Sequence, residues 1–419
     1  MRFARLALLP LVAVACTRSV ATAPVPGATP RPAAPVPRLP AVETLVPAPP
    51  LSVGLDPELP ARLDSIVRAG LEQGAAPGAA LAVGRFGRLV HLKGYGAIHY
   101  AADAPPVDPT TVYDLASLTK VVATTTAAMI LEEEGKLDLS RTVQSYLPEF
   151  DAPDKAAITV RMLLTHRGGL EAFAPLWRDT KGRNEYLTQI NMRPLRGAPG
   201  SLVVYSDWDF VLMGLVIERI TGTTLDAFVA ARVFGPLGMS STRFSPDTTD
   251  ASLMQRVVFT ALDTLRGQLH GSVHDPNAWA LGGVAGHAGL FGSARDLAVF
   301  AQTLLNGGTY GGMRIVKPST VARWTSSQDP ASSRALGWDT PSAVSSAGRY
   351  FSPRSFGHTG YTGTSMWIDP ERGLFVVLLM NRVNSRGEAT RHVQLRRDVA
   401  DAVQSSLRDA PLIDWEVRR

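Results

Sequence analysis

The stretch DLASLTKVVATTTAAMI, residues 114–130, sets Ser117 and Lys120 three positions apart at the head of a run that carries no further charge. Three positions on a helix is close to one turn, so both side chains share a face. Leu118, Val121, Val122, Met129 and Ile130 predict a helix buried on much of its surface and ending at Gly135, with Ser117 at its N-terminus. Unpaired backbone N–H groups and the positive dipole end would favour an oxyanion forming there. The same field, with desolvation, is expected to push the Lys120 ammonium toward neutrality, and a neutral lysine can take a proton from a serine hydroxyl. The pattern alone says little: with 28 serines and six lysines in 419 residues, S-x-x-K arises about 0.4 times by chance. Context has to carry it.

Part of that context is the scarcity of lysine. Only six of the 42 basic residues are lysines, so arginine supplies the routine surface charge and a lysine in an apolar setting is informative. With 45% hydrophobic and 19% charged residues the chain has an ordinary globular composition and length enough for a large buried core. Arg2 and Arg5 account for two of the +5 formal charges, and the remainder is too small and too scattered for nucleic-acid binding.

Those two arginines precede an apolar run from Leu6 to Ala15, too short to span a bilayer, so residues 1–15 read as an export signal. Ala13, Val14 and Ala15 then lead to Cys16, the single cysteine, which excludes a disulfide within the chain. Small residues ending in cysteine resemble the bacterial lipoprotein signal, in which that cysteine is lipidated; ordinary secretory cleavage near Ala15 is the alternative. Either puts the protein outside the cytoplasm, the first in the periplasm-facing envelope with the membrane reached only through the lipid. Residues 24–50 hold ten prolines, a composition suited to an extended tether, so 16–53 reads as a linker.

The folded part is expected over 54–410. Asp56-Pro57-Glu58 opens a helix running to about Gln73. AALAVGRF and RLVHLKGYG form one predicted hairpin near the N-terminus, and GTSMWIDP and LFVVLLMNRV another near the C-terminus, followed by a helix from about Glu388 to Leu407. Hairpins at both ends with flanking helices suggest one antiparallel sheet closed by the two chain ends, an α/β (α+β) arrangement. Its α/β part would take about 54–120 and 290–410, and a mostly helical part 121–289, with capping boxes at Thr223–Asp226 and Ser293–Asp296.

Two more stations stand out. PGSLVVYSDWDF places Tyr205, Ser206 and Asp207 before an apolar helix, and FGHTGYTGTSMWIDP places His358, Thr359 and Gly360 before a strand. With the Ser117 segment and LLTHRGGL, the ordered set resembles the serine β-lactamase and penicillin-binding protein superfamily, especially class C β-lactamases, D,D-peptidases and esterases of that fold. The resemblance spans essentially Asp56 to Leu407. It implies a three-layer αβα sandwich with a helical subdomain, and an acyl-enzyme mechanism that needs no cofactor or metal. It further implies Ser117 as nucleophile, Lys120 as its activating partner, Tyr205 as a second acid/base, and the N–H groups of Ser117 and Tyr361 as the oxyanion hole. Asp207, His358, Thr359, Gly360 and Tyr361 would contact substrate. Which of Lys120 and Tyr205 takes the serine proton stays open at this point. Two positions depart from the pattern: Asp207 stands where asparagine is usual, a carboxylate that could hold Lys120 charged or orient it, and His358 stands where lysine is usual. A histidine of ordinary pKa would read a substrate carboxylate weakly and pH-dependently, which predicts slow β-lactam turnover.

GSVHDPNAWALGGVAGHAGLFGSARDL resembles a subgroup that often accompanies cell-wall recycling enzymes, which points to a peptidoglycan-derived substrate. His166, His274 and His287 read as loop-ordering residues, and His270 with His274 lacks the acidic or thiol partner of a metal site. Trp208, Phe291, Trp338 and Tyr361 suit either cleft or core. Three classes stay open: a monomeric hydrolase of peptidoglycan peptides or β-lactams, a carboxylesterase, and a non-catalytic surface binding protein.

Overall fold

The computed structural model describes residues 43–414 apart from 343, 344, 389 and 413. The expected signal segment, Cys16 and most of the linker therefore lie outside the described residues.

Six strands make the main sheet: β1 (Val46–Pro47), β2 (Gly78–Arg85), β3 (Arg88–Gly96), β4 (Phe356–Thr359), β5 (Ser365–Asp369) and β6 (Leu374–Met380). Their order is β1-β3-β2-β6-β5-β4, so strands from the two chain ends meet at the antiparallel β2–β6 pair, where Val83 faces Val376 and Leu81 faces Leu378. Only β1 runs parallel to its neighbour. The linker expectation extended too far here. Val46 and Ala48 donate to Gly87 and Leu89 carbonyls, while Pro47, which has no N–H to give, sits harmlessly at a sheet edge; Pro50 and Val53 are buried in the turn that follows.

Strand alternation splits the core in two. Ala79, Leu81, Val83, Val376 and Leu378 face helices α1 (Leu59–Glu72) and α2, the C-terminal helix Arg391–Ser405. Ala80, Ala82, Phe375, Val377 and Leu379 face the opposite way, into the core that holds Leu297 and Phe300 of the helix Ala294–Leu305 and continues through the helical region. Sheets covered on both faces read as nearly continuous apolar strands, and LFVVLLM of β6 is one. Leu59, Leu63 and Val67 of α1 are fully buried, each contributing about 1.5–3 kcal/mol of transfer free energy. At the head of the helix Ala294–Leu305, Ser293 accepts the Asp296 N–H as expected, whereas Thr224, ahead of Leu225–Val229, makes no side-chain cap.

Candidate active site

Ser117 sits at a corner rather than on a plain helix end. The short strand Val112–Asp114 delivers the chain to Ala116, whose φ of 46° places a non-glycine residue in the left-handed region immediately before Ser117. Such a conformation costs on the order of 1–3 kcal/mol and persists only where neighbours hold it. Here the Asp114 carboxylate holds it, accepting the Ala116 N–H at 2.8 Å and the His274 N–H at 2.6 Å. Burial pushes the Asp114 carboxyl up to about 6 despite those donors. Beyond Ser117 the expected α-helix is widened: Lys120–Thr125 adopts π-type turns before regular helix at Thr126–Glu133, and the Thr126 hydroxyl donates to the Val121 carbonyl five residues back.

Lys120 is fully buried and its three ammonium hydrogens have three acceptors: Ser117 Oγ at 3.0 Å, Asp207 Oδ1 at 2.7 Å and the His287 carbonyl at 3.1 Å. Burial by itself would drive the amine neutral, but the Asp207 carboxylate and the Tyr205 phenol outweigh it, and the pKa rises above the ordinary lysine value. Of the two states open in sequence, a neutral lysine and one held charged by Asp207, the charged one holds, because a carboxylate stands where the usual motif has an uncharged amide. Asp207 opens the helix Asp207–Thr221, with its own N–H bonded to Ala172 O. Tyr205, two residues earlier, puts its ring centroid 5.0 Å from Lys120 Nζ.

The third station arrives on β4 and is stapled to the Ser117 corner. Thr362 Oγ1 donates to Asp114 O at 2.7 Å and Thr364 Oγ1 to Leu115 O at 3.0 Å. Gly360 lies so close that a Cβ there would stand 2.1 Å from Thr364 Oγ1 and 2.4 Å from Leu115 O. The buried Arg396 guanidinium donates to the carbonyls of Gly360, Gly363 and Thr364. Tyr361, at the tip, is 61% exposed, with the Arg382 guanidinium 3.9 Å from its ring centroid and the His274 ring stacked at 5.5 Å.

His358 does not play the expected part. It is buried, and its Nδ1–H donates to the Thr359 carbonyl at 2.8 Å. Burial, with Lys120 and Arg334 nearby, pushes its pKa down to about 3, so the ring is neutral with Nε2 as an acceptor. It cannot supply a titrating cation near pH 7. Arginines supply positive charge on the cleft wall instead: Arg382 beside Tyr361, the carbonyl-bound Arg396, and Arg334, whose guanidinium carbon lies 5.3 Å from the Tyr205 ring centroid and whose Nη1 is 3.8 Å from Asp339 Oδ1. Sequence reading missed Arg334 because it stands in a loop, SSRALGWD, with no spacing to mark it.

One cleft of about 710 Å³ brings together Ser117, Tyr205, Asp207, His358, Thr359, Gly360, Tyr361 and Arg334, with Phe173, Asp275 and His287 also on its wall. Lys120 reaches it from below, through Ser117 and Asp207. Of the aromatic residues singled out in sequence, Tyr361 lines the cleft whereas Trp208, Phe291 and Trp338 are core. His287 orders its loop by donating to Asp275 Oδ1 at 2.9 Å, an oxygen that also caps the short helix Pro276–Ala280. Asp207, Asp275 and His287 bring ligand atoms within 4.8 Å of one another, a grouping absent from the sequence reading, but a metal there would compete with the Lys120 ammonium already on Asp207.

The site is thus a serine hydroxyl bonded to a buried ammonium, beside a phenol and under a tightly held glycine turn, the equipment for acyl transfer through a covalent intermediate. The sequence profile of the Beta-lactamase family matches residues 63–401. A protein of Escherichia coli (strain K12) named "Putative D-alanyl-D-alanine carboxypeptidase" is 36% identical over 335 residues, covering 71% of this chain and 76% of its own. Among solved structures, a class C beta-lactamase superposes with a TM-score of 0.67 at 17% identity over 82% of this chain and 96% of its own. EstCE1, described as a hydrolase with promiscuous acyltransferase activity, gives 0.65 at 23% identity over 82% and 98%. The chain belongs to the serine β-lactamase and penicillin-binding protein superfamily and is a serine hydrolase.

Proposed function

We propose that the protein is an envelope-anchored serine peptidase or amidase that cleaves peptidoglycan-derived peptides, in the manner of a D,D-carboxypeptidase, with weak β-lactam turnover. The observation that carries this reading is the Ser117–Lys120–Asp207 chain of hydrogen bonds opening into a cleft where Arg334 supplies a permanent cation. A peptide C-terminus carries the matching carboxylate, and the name of the E. coli relative points to the same substrate class.

In this mechanism Ser117 Oγ bonds to the scissile carbonyl carbon, and the oxyanion is held by the N–H groups of Ser117 and Tyr361. The serine proton passes by way of the Tyr205 oxygen to the leaving nitrogen as the C–N bond breaks. Lys120, held as an ammonium, orients Ser117 Oγ and steadies the negative charge that develops at it and at Tyr205. Water then repeats the sequence on the acyl-enzyme, with Tyr205 carrying its proton back to Ser117. The neutral His358 favours a second reading, a carboxylesterase acting on uncharged esters.

Intact mass spectrometry after exposure to a fluorophosphonate and, separately, a penicillin tests the shared step. One covalent adduct on Ser117, absent from Ser117→Ala, is expected, and an adduct on the alanine variant would remove Ser117 as nucleophile. Release of D-alanine from a D-Ala-D-Ala peptide, compared with turnover of a short neutral ester, separates peptidase from esterase.

A further inference from the structure

We infer that His166 is a positioning residue for Tyr205, gripping the backbone on both sides of it and packing against its ring. The inference rests on the reading that Tyr205 carries the proton during acylation. His166 comes from the segment LLTHRGGL, far from Tyr205 in the chain, and is 1% exposed. Its carbonyl accepts the Val204 N–H at 2.9 Å, and its Nδ1 accepts the Ser206 N–H at 3.2 Å. Tyr205 is the residue between those two. The His166 ring lies on the Tyr205 ring with centroids 4.5 Å apart, and Phe210 backs the imidazole at 5.3 Å. Both the phenol's backbone and its ring therefore take their places from one residue.

The grip is held under strain, since His166 has a φ of 56°, uncommon for any residue with a side chain. Nδ1 has one lone pair, and the Ser206 N–H points at it, so the neutral ring carries its hydrogen on Nε2. Asp209 Oδ2 lies 3.1 Å from the same Nδ1. Burial, followed by repulsion from Asp207, raises the Asp209 carboxyl well above the usual range, and burial with the positive charges of Arg334 and Lys120 keeps His166 neutral. The pair is accordingly a neutral acid beside a neutral imidazole, not an ion pair. Its neutrality matters because a charged imidazolium would turn an N–H toward Ser206 and release the peptide that follows Tyr205.

The test is a double-mutant cycle read by the rate of serine phosphonylation by a fluorophosphonate, by the rate of acylation by a p-nitrophenyl ester, and by kcat and KM on that ester. His166→Ala should slow acylation and kcat by about 10- to 100-fold, the scale of a catalytic group displaced by about 1 Å, with KM within about threefold. His166→Asn should recover most of the loss, because an asparagine oxygen occupies the position of Nδ1 and asparagine tolerates positive φ. In a Tyr205→Phe background His166→Ala should cost less than about threefold more, since the group it positions is already gone. Equal losses in both backgrounds, or a loss confined to KM, would overturn the inference. A Tyr205→Phe enzyme that acylates normally is a different result: it removes Tyr205 from the mechanism, and the role of His166 with it. If His166→Ala does not fold, His166→Asn and nitrogen-15 NMR of the parent decide the matter. The parent should show a neutral, Nε2-protonated His166 from pH 5 to 9, and a protonated Nδ1 anywhere in that range would refute the arrangement.

Discussion

Lys120 Nζ and Asp207 Oδ1 lie 2.7 Å apart, the lysine side chain without exposed surface and the aspartate 19% exposed. The pair decides which protonation state the site starts from. Because the folded pKa of Lys120 is raised, its contribution to stability is fully present below the unfolded lysine value near about 10.4, and is lost only as pH rises through the higher folded value. Between pH 5 and 9 Lys120 adds no slope to the stability and does not change charge.

Asp207→Asn should alter that. Without the carboxylate, burial becomes the leading influence and Lys120 shifts toward neutrality, so kcat/KM should gain a limb that rises with pH as the amine loses its proton. The parent should show no limb from Lys120. Leaving a buried ammonium half-partnered should also lower stability by about 3 kcal/mol, read from urea denaturation near neutral pH. An unchanged pH profile together with unchanged stability would mean that Asp207 does not set the charge of Lys120.

Gly360→Ala should disable the site while sparing most of the fold. A Cβ would meet Thr364 Oγ1 at 2.1 Å and Leu115 O at 2.4 Å, the two groups that join the glycine turn to the Ser117 corner. Phosphonylation of Ser117 by a fluorophosphonate should fall at least about 100-fold, the scale of losing one oxyanion donor. Near-normal labelling would show that the turn can yield without cost.

Much of this was legible in sequence for reasons that can be traced. The apolar run LFVVLLM and the alternating small residues of AALAVGRF announce strands covered on both faces, and the motifs at Ser117, Tyr205 and His358 fall within one cleft. What escaped depended on partners distant in the chain. That Asp207, 87 residues away, could hold Lys120 charged was open in sequence; that it does so, and that burial keeps His358 neutral, is decided by tertiary packing. Val46 and Pro47 looked like tether because a two-residue edge strand has no periodicity to display.

Cys16 calls for a fractionation experiment. Full-length protein expressed in a bacterial host should partition with membranes, and Cys16→Ser should release it or leave it unprocessed. Several acyl chains on one cysteine hold firmly where a single chain binds marginally. Equal solubility of the two forms would indicate simple secretion.

Arg334 and His358 both line the cleft beside Tyr205, and pH separates what each can contribute. His358, with its pKa down at about 3, stays neutral from pH 7.5 to 6, while a guanidinium remains charged throughout. The ratio of kcat/KM for a carboxylate-bearing peptide to that of its methyl ester should therefore be flat across that range. Arg334→Ala should lower the ratio by about 10- to 100-fold, consistent with losing a charge-assisted contact worth roughly 1.5–3 kcal/mol. His358 should declare itself in stability instead. A histidine whose folded pKa is depressed stabilises the fold above its unfolded value near about 6.5, and that contribution is lost as pH falls through the window toward the folded value. At pH 5.5 the loss from this residue is on the order of 1 kcal/mol, so His358→Asn should flatten the acid side of the stability profile. A ratio that climbs as pH drops from 7.5 to 6, together with an Arg334→Ala enzyme of unchanged selectivity, would return carboxylate recognition to His358.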